Sequence, residues 1–221
     1  SGTQGPSLDP AWGEGDFKEV MMGEKPTIVY KFPEGKGLMI DHWCVKVGKV
    51  CMPWLLEYTV VVEVKIDDVI GYRKILGSAF WGDYGLYVNK YLMLVPTGTR
   101  MKCSEVIRTK KFYKFVMTRD KRGTLKLYVN GDLCAEGAPS YKDHFKLNPN
   151  DIMIMKDDAT ENSGGEIANF HIWDKALANE DVQAICGCRK PEPADPCIFT
   201  VGYLPPTSKT FYSSVRNNDV K

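Results

Sequence analysis

The sequence predicts an all-β fold, an antiparallel β-sandwich with one short helix. Three observations carry this. Short apolar stretches alternate in period two, turn residues recur about every ten positions, and a helical pattern occurs only near residue 180. The chain has 221 residues, 43% of them hydrophobic and 26% charged, with a formal net charge of +1. That is globular composition, too apolar and too evenly charged for a disordered chain. Balanced charge gives no whole-chain drive toward nucleic acid. No apolar run approaches the roughly 20 residues of a membrane-spanning helix, so no membrane insertion is expected.

Residues 1–25 carry Gly, Pro and acidic residues with little periodicity and read as a lead-in loop or linker. Thr27–Phe32 is the first strand expected. Tyr58–Ile66 is the clearest one: Tyr58, Val60, Val62, Val64 and Ile66 form a core-grade face, and Thr59, Glu63 and Lys65 lie on a mostly wet one. Lys74–Phe80, Tyr84–Val88 and Tyr91–Val95 follow. Phe112–Thr118 and Thr124–Val129 form a hairpin around Arg119–Gly123. Asn130-Gly131 predicts a type I′ turn, because both residues tolerate positive φ, and Leu133–Glu136 returns from it. Asp151–Met155 and Glu166–Trp173 are the last firm strands. Asn179–Ile185 is the helix, with Asn179 as its cap and Gly187 beyond its end. The Pro-rich stretch 189–221 reads as a C-terminal extension, with a closing strand over Thr210–Val215.

Seven cysteines leave at least one thiol unpaired and favour an oxidising, secreted or cell-surface setting. Local pairing joins Cys44 to Cys51, and Cys197 to Cys186 or Cys188. The chain has no Asn-x-Ser/Thr glycosylation acceptor.

The segments FYKFVMTRDKRGTLKLYVNGDLCAEG (Phe112–Gly137) and GGEIANFHIWDKALANEDVQAI (Gly164–Ile185), with the strand YTVVVEVK before them, carry a resemblance. In order and content they resemble the laminin-G and pentraxin-like branch of the concanavalin A-like lectin/glucanase superfamily. The resemblance implies a concanavalin A-like jelly roll over residues 26–188. The strands Val60–Val62 and Phe115–Met117 lack the cysteines that bridge them in pentraxins, which favours a general laminin-G-like domain.

The resemblance also implies where ligands sit. The loop Lys156–Asn162 follows a strand where pentraxin-like proteins place calcium ligands, and Asp83 occupies a facing position. Asp83, Asp157, Asp158 and Asn162 are therefore the expected Ca²⁺ ligands, as hard oxygen donors from two loops. Trp81, Asp83, Tyr84 and Asn89 are the expected ligand-binding residues. Aromatic faces stack on sugar rings, while carboxylates and amides bond to hydroxyls. Lys110, Lys111, Lys114, Lys121, Arg122 and Lys126 form a basic group on the hairpin, read as a solvated edge with an acidic glycan as the alternative.

Catalysis is not expected. The glucanase Glu-x-Asp-x-x-Glu run is absent, and Glu57 and Glu63 stand six residues apart, about 20 Å along a strand. Glycosidase pairs need about 5–9.5 Å. His42, His144 and His171 share no metal-binding spacing. The function expected is a non-catalytic module recognising carbohydrate or glycoprotein ligands, in adhesion, as part of a larger protein. The alternatives are a protein-interaction or assembly domain and a divergent glycoside hydrolase or lyase.

Overall fold

The computed structural model describes residues 3–4, 15–41, 45–47, 50–52, 54–77, 84–95, 101–138, 142–148, 151–157, 161–186, 199–201 and 214–215. In chain order the strands are β1 (Thr3–Gln4), β2 (Asp16–Met22), β3 (Lys25–Phe32), β4 (Leu38–Asp41), β5 (Val45–Val47), β6 (Val50–Met52), β7 (Tyr58–Ile66), β8 (Arg73–Gly77) and β9 (Gly85–Val88). They continue with β10 (Tyr91–Val95), β11 (Lys102–Val106), β12 (Phe112–Arg119), β13 (Leu125–Val129), β14 (Asp132–Gly137), β15 (Asp151–Ile154) and β16 (Gly165–Trp173). Helix α1 (Asn179–Cys186) precedes β17 (Phe199–Val201) and β18 (Ser214–Val215).

Two antiparallel sheets form the sandwich. One has six strands in the order β11-β10-β9-β8-β15-β4; the other has eight, in the order β14-β13-β12-β7-β16-β3-β2, with β17 paired to β16. Strand β7 lies between β12 and β16. Its residues Tyr58, Val60, Val62, Val64 and Ile66 are all buried in the core between the sheets, as their alternation predicts. They meet Ile75, Leu86, Leu92, Ile152 and Ile154 from the opposite sheet.

The far side of β7 is drier than the sequence suggests. Val61 is buried with Val116, Tyr128, Trp173, Leu177 and Val182 in a second cluster beneath α1. The helix starts where expected, but Asn179 anchors rather than caps it. Its Oδ1 accepts hydrogen bonds from Tyr128 Oη at 2.7 Å and Lys126 Nζ at 3.3 Å. The first helical bond runs from Val182 N–H to the Ala178 carbonyl, at 3.0 Å.

The Asn130-Gly131 turn has φ values of 54° and 97°, and Val129 faces Asp132 across it, as a type I′ turn requires. The lead-in loop expected over 1–25 instead contains β2, which pairs with β3 through a turn at Gly23, φ 65°. Strand β2 is an edge strand with one wet side, so Phe17 and Met21 remain exposed and its apolar period is faint.

Among the described residues, a covalent tie joins the layers. Cys103 on β11 and Cys134 on β14 form a disulfide that links an edge of one sheet to an edge of the other. Sequence spacing does not reveal this pairing, because the partners are 31 residues apart. Cys186 is a free thiol, which removes the expected Cys186–Cys197 bridge. Cys44, Cys188 and Cys197 lie outside the described residues.

Closing a 31-residue loop removes unfolded-state entropy. The double variant Cys103→Ala/Cys134→Ala is expected to lose about 3 kcal/mol of stability in urea unfolding. An unchanged midpoint would contradict the stapling role.

Candidate functional site

The expected sugar-contact residues fall at two ends of the sandwich. Tyr84 precedes β9 and Asn89 follows it, so the strand separates them by about 17 Å. Trp81 and Asp83 lie outside the described residues.

At the Tyr84 end the structure adds a residue that sequence reasoning considered only as a metal ligand. The rings of Tyr84 and His144 stack nearly parallel, with centroids 4.2 Å apart and planes at 6°. Tyr84 also meets Phe145 edge-on, at 5.9 Å. His144 is exposed and sits in a 3-10 turn over Lys142–Phe145. That turn is held by buried groups. Tyr58 Oη donates to the Phe145 carbonyl at 2.7 Å. Leu55 and Leu147 exchange backbone hydrogen bonds at 2.7 and 3.1 Å. Arg119, which is buried, donates to the Leu56 carbonyl and lies 3.9 Å from Asp143. The result is a fixed aromatic stack at a rim, in which Tyr84 is half-buried against the core and His144 is the exposed ring. No local motif announces it, because the rings come from distant segments.

The acidic loop lies toward the Asn89 end. Asp157 is buried, and its Oδ1 accepts a hydrogen bond from Lys74 Nζ at 2.6 Å. Lys74 is itself 1% exposed and lies 5.4 Å from the centre of the Tyr87 ring, its cross-strand neighbour. Asn162 Oδ1 accepts the Asp157 backbone N–H at 2.6 Å. Lys74 N–H donates to the Glu161 carbonyl at 2.9 Å. Burial, and then the hydrogen-bonded Asp157 carboxyl, push the Glu161 carboxyl above its usual range.

Of the expected calcium ligands, Asp83 and Asp158 lie outside the described residues. The two described donors already have partners. Asn162 Oδ1 is turned to a backbone donor and Asp157 Oδ1 to an ammonium. A calcium ion on that oxygen would stand about 4.5 Å from Lys74 Nζ, a repulsion on the order of 7 kcal/mol at an effective dielectric of about 20. Among the described residues no group of three or more His, Cys, Asp or Glu is placed to hold a metal.

The outer face of the eight-stranded sheet carries charges in satisfied pairs. Glu166 is buried between Lys18 and Lys65, each at 2.5 Å. Glu63 accepts from Asn169 Nδ2 at 2.5 Å and lies 3.9 Å from Lys114, while Glu57 pairs with Lys121 at 3.4 Å. Neither carboxylate of the Glu57–Glu63 pair faces an open cleft partner. Burial, with the nearby Lys114 charge second, holds His171 down at about 4. Burial pushes the Cys186 thiol up to about 11, which keeps it unreactive.

The basic group on the hairpin is dispersed. Lys110 and Lys111 precede β12, whereas Lys121 and Arg122 follow it, about 26 Å away. Lys114 donates to the Ile185 carbonyl at 3.2 Å, and Lys126 lies 3.6 Å from Glu136.

The two facing antiparallel sheets define a jelly-roll sandwich of the lectin type. A laminin-G profile of the concanavalin A-like lectin/glucanases superfamily matches residues 45–183, and the chain belongs to that family. Among curated proteins no relative matches. Solved structures share the fold at low identity. A heptameric SAP-like pentraxin from Limulus polyphemus is 19% identical, with a TM-score of 0.52, over 79% of this chain and 81% of its own. The CBM40 of the Ruminococcus gnavus IT-sialidase, bound to α2,3-sialyllactose, is 19% identical, with a TM-score of 0.51, over 72% of this chain and 95% of its own. Domain 4 of the extracellular arabinanase AbnA from Geobacillus stearothermophilus, in complex with arabinotriose, is 16% identical, with a TM-score of 0.54, over 84% and 87%. At these identities the likeness shows the fold.

Two outcomes follow from the buried polar groups. Lys74→Met strands a buried carboxylate and is expected to cost about 3 kcal/mol or more, with Lys74→Met/Asp157→Leu recovering part of the loss in denaturant unfolding. His171 binds protons more readily when unfolded, so the native state loses stability as pH falls from about 6.5 toward 4. That contribution amounts to about 3 kcal/mol. Replacing it in His171→Gln flattens the stability–pH curve across that window, and parallel curves for the two proteins would contradict the assignment.

Proposed function

We propose that this chain is a non-catalytic carbohydrate-binding module that recognises glycans or glycoproteins through the rim carrying Tyr84 and His144, with Trp81 and Asp83, which precede Tyr84 in sequence, as further contacts. The parallel Tyr84–His144 stack carries the reading. A flat aromatic surface fixed from below and exposed at His144 suits the apolar face of a sugar ring, and neighbouring carboxylates suit its hydroxyls. Asn89 belongs to the opposite rim and joins only a ligand long enough to span β9. The carbohydrate-binding modules with the same fold support the class of ligand. The inter-sheet disulfide supports a secreted or cell-surface setting. No helix of the described residues is long and apolar enough to cross a membrane. An adhesive role as one module of a longer protein is consistent with these features.

A glycan array probed with and without EDTA tests this. Binding is expected in both conditions, because Lys74 supplies the charge opposite Asp157. Loss of binding in EDTA would restore the calcium expectation for Asp83, Asp157, Asp158 and Asn162. Tyr84→Ala is expected to weaken the best glycan about tenfold, or about 1.4 kcal/mol, while thermal unfolding confirms a folded protein. No glycan bound by folded wild-type protein would sink the proposal.

A further inference from the structure

We propose that the rim built from segments 67–73, 89–90 and 106–111 docks an acidic protein segment that also carries aliphatic side chains. This surface lies across the sandwich from the Tyr84–His144 platform that carries the carbohydrate reading, and Asn89 is the one residue named in both.

Three loops are sewn into one surface there. Lys90 N–H donates to the Val69 carbonyl at 3.0 Å, and Ile107 N–H donates to the Lys90 carbonyl at 2.7 Å. Arg108 N–H donates to Tyr113 Oη at 3.1 Å, and Val106 faces Tyr91 across the β10–β11 pair. Cations on the sheet faces are answered by acids, as Lys65 is by Glu166 and Lys114 by Glu63. At this rim Arg73 is answered by Asp68, but four other cations are not. Lys90, Arg108, Lys110 and Lys111 are exposed, and among the described residues no ion pair joins any of them to an acid. Lys102 and Lys111 instead rest over the Tyr91 and Tyr113 rings, at 4.1 and 4.9 Å. The acids at this end are Asp67, Asp68 and Glu105, with Asp157 and Glu161 of the neighbouring loop; Asp68 is already paired with Arg73 and Asp157 with Lys74. The surface is therefore left with net positive charge that a partner can meet.

Lys90 and Lys110 have φ values of 57° and 64°, the left-handed region that favours glycine or asparagine. Glycine therefore replaces either lysine without backbone strain.

The apolar groups choose among acidic partners. Ile70 is 70% exposed at the tip of its turn, where Asp68 Oδ1 holds its N–H at 2.8 Å, and Val106 is 48% exposed. A sulfated polysaccharide answers the cations but offers nothing to bare aliphatic groups. A bilayer favours apolar groups gathered on one tip, whereas Val106 lies within β11 and Ile70 caps a turn. A polypeptide with interspersed acidic and aliphatic side chains meets both kinds of group.

The test uses the whole chain and a fluorescent dodecapeptide alternating two Glu with two Leu, followed by anisotropy. Saturable binding is expected, weakened at least about fivefold between 0.05 and 0.5 M salt as screening grows. Lys90→Gly/Lys110→Gly is expected to bind at least about fivefold more weakly, with no fall in Tm, since glycine suits those φ values. Ile70→Ser is expected to weaken the peptide while leaving poly-L-glutamate binding unchanged. Absence of peptide binding overturns the proposal, as does equal binding by the glycine variant. Tighter binding of chondroitin sulfate that ignores Ile70→Ser assigns the rim to a polysaccharide, and cosedimentation with phosphatidylserine vesicles but not peptide binding assigns it to lipid. Either result overturns the protein reading.

Discussion

Burial of the inward side of β7 against the six-stranded sheet is the constraint on which the rest of the molecule depends. Five alternating residues from Tyr58 to Ile66 enter the same core, so the register of β7 with β12 and β16 is set by a shift that would turn every one of them outward. Both neighbours inherit that register. Through Tyr58 it also reaches the rim, because the phenol that starts the buried row ends on the Phe145 carbonyl. The same buried side chain thus fixes a strand and fixes the turn that holds His144 against Tyr84.

A sandwich held this way separates its surfaces by the direction the chain takes. The outer face of the eight-stranded sheet is spent on packing and on answered charges: α1 covers Val61 and Tyr128, and Glu166 lies buried between two lysines. What is left open is at the ends of strands, where backbone hydrogen bonding no longer dictates the side chains. The two ends differ in character. One presents stacked rings over a rigid turn, and the other presents Lys90, Arg108, Lys110 and Lys111, which no acid among the described residues pairs, around two exposed aliphatic groups. Between them, Lys74 and Asp157 show how an acidic loop can be held by a charge from the chain itself.

The parts legible in the sequence were those governed by short-range periodicity. The alternation of β7, the Asn130-Gly131 turn and the helix near residue 180 all depend on neighbours within a few positions. Strand β2 was hidden because an edge strand with a wet side needs no strict alternation. Lys74 looked like an ordinary strand lysine, since nothing nearby signals that Asp157, a distant residue, will face it. His144 and Tyr84 meet for the same reason, through the pairing of Leu55 with Leu147 rather than through any motif. The basic hairpin looked like a cluster because one-dimensional proximity ignores the length of β12, which carries its two ends to opposite rims.

The division of labour between faces and rims is tested most directly by amide chemical-shift mapping of the whole chain during titration with its best glycan. The account requires the largest changes at residues 84–85 and 143–147, with residues of the outer sheet face near Glu63, Asn169 and His171 unmoved. Changes centred on that face, with Tyr84 and His144 silent, would contradict it.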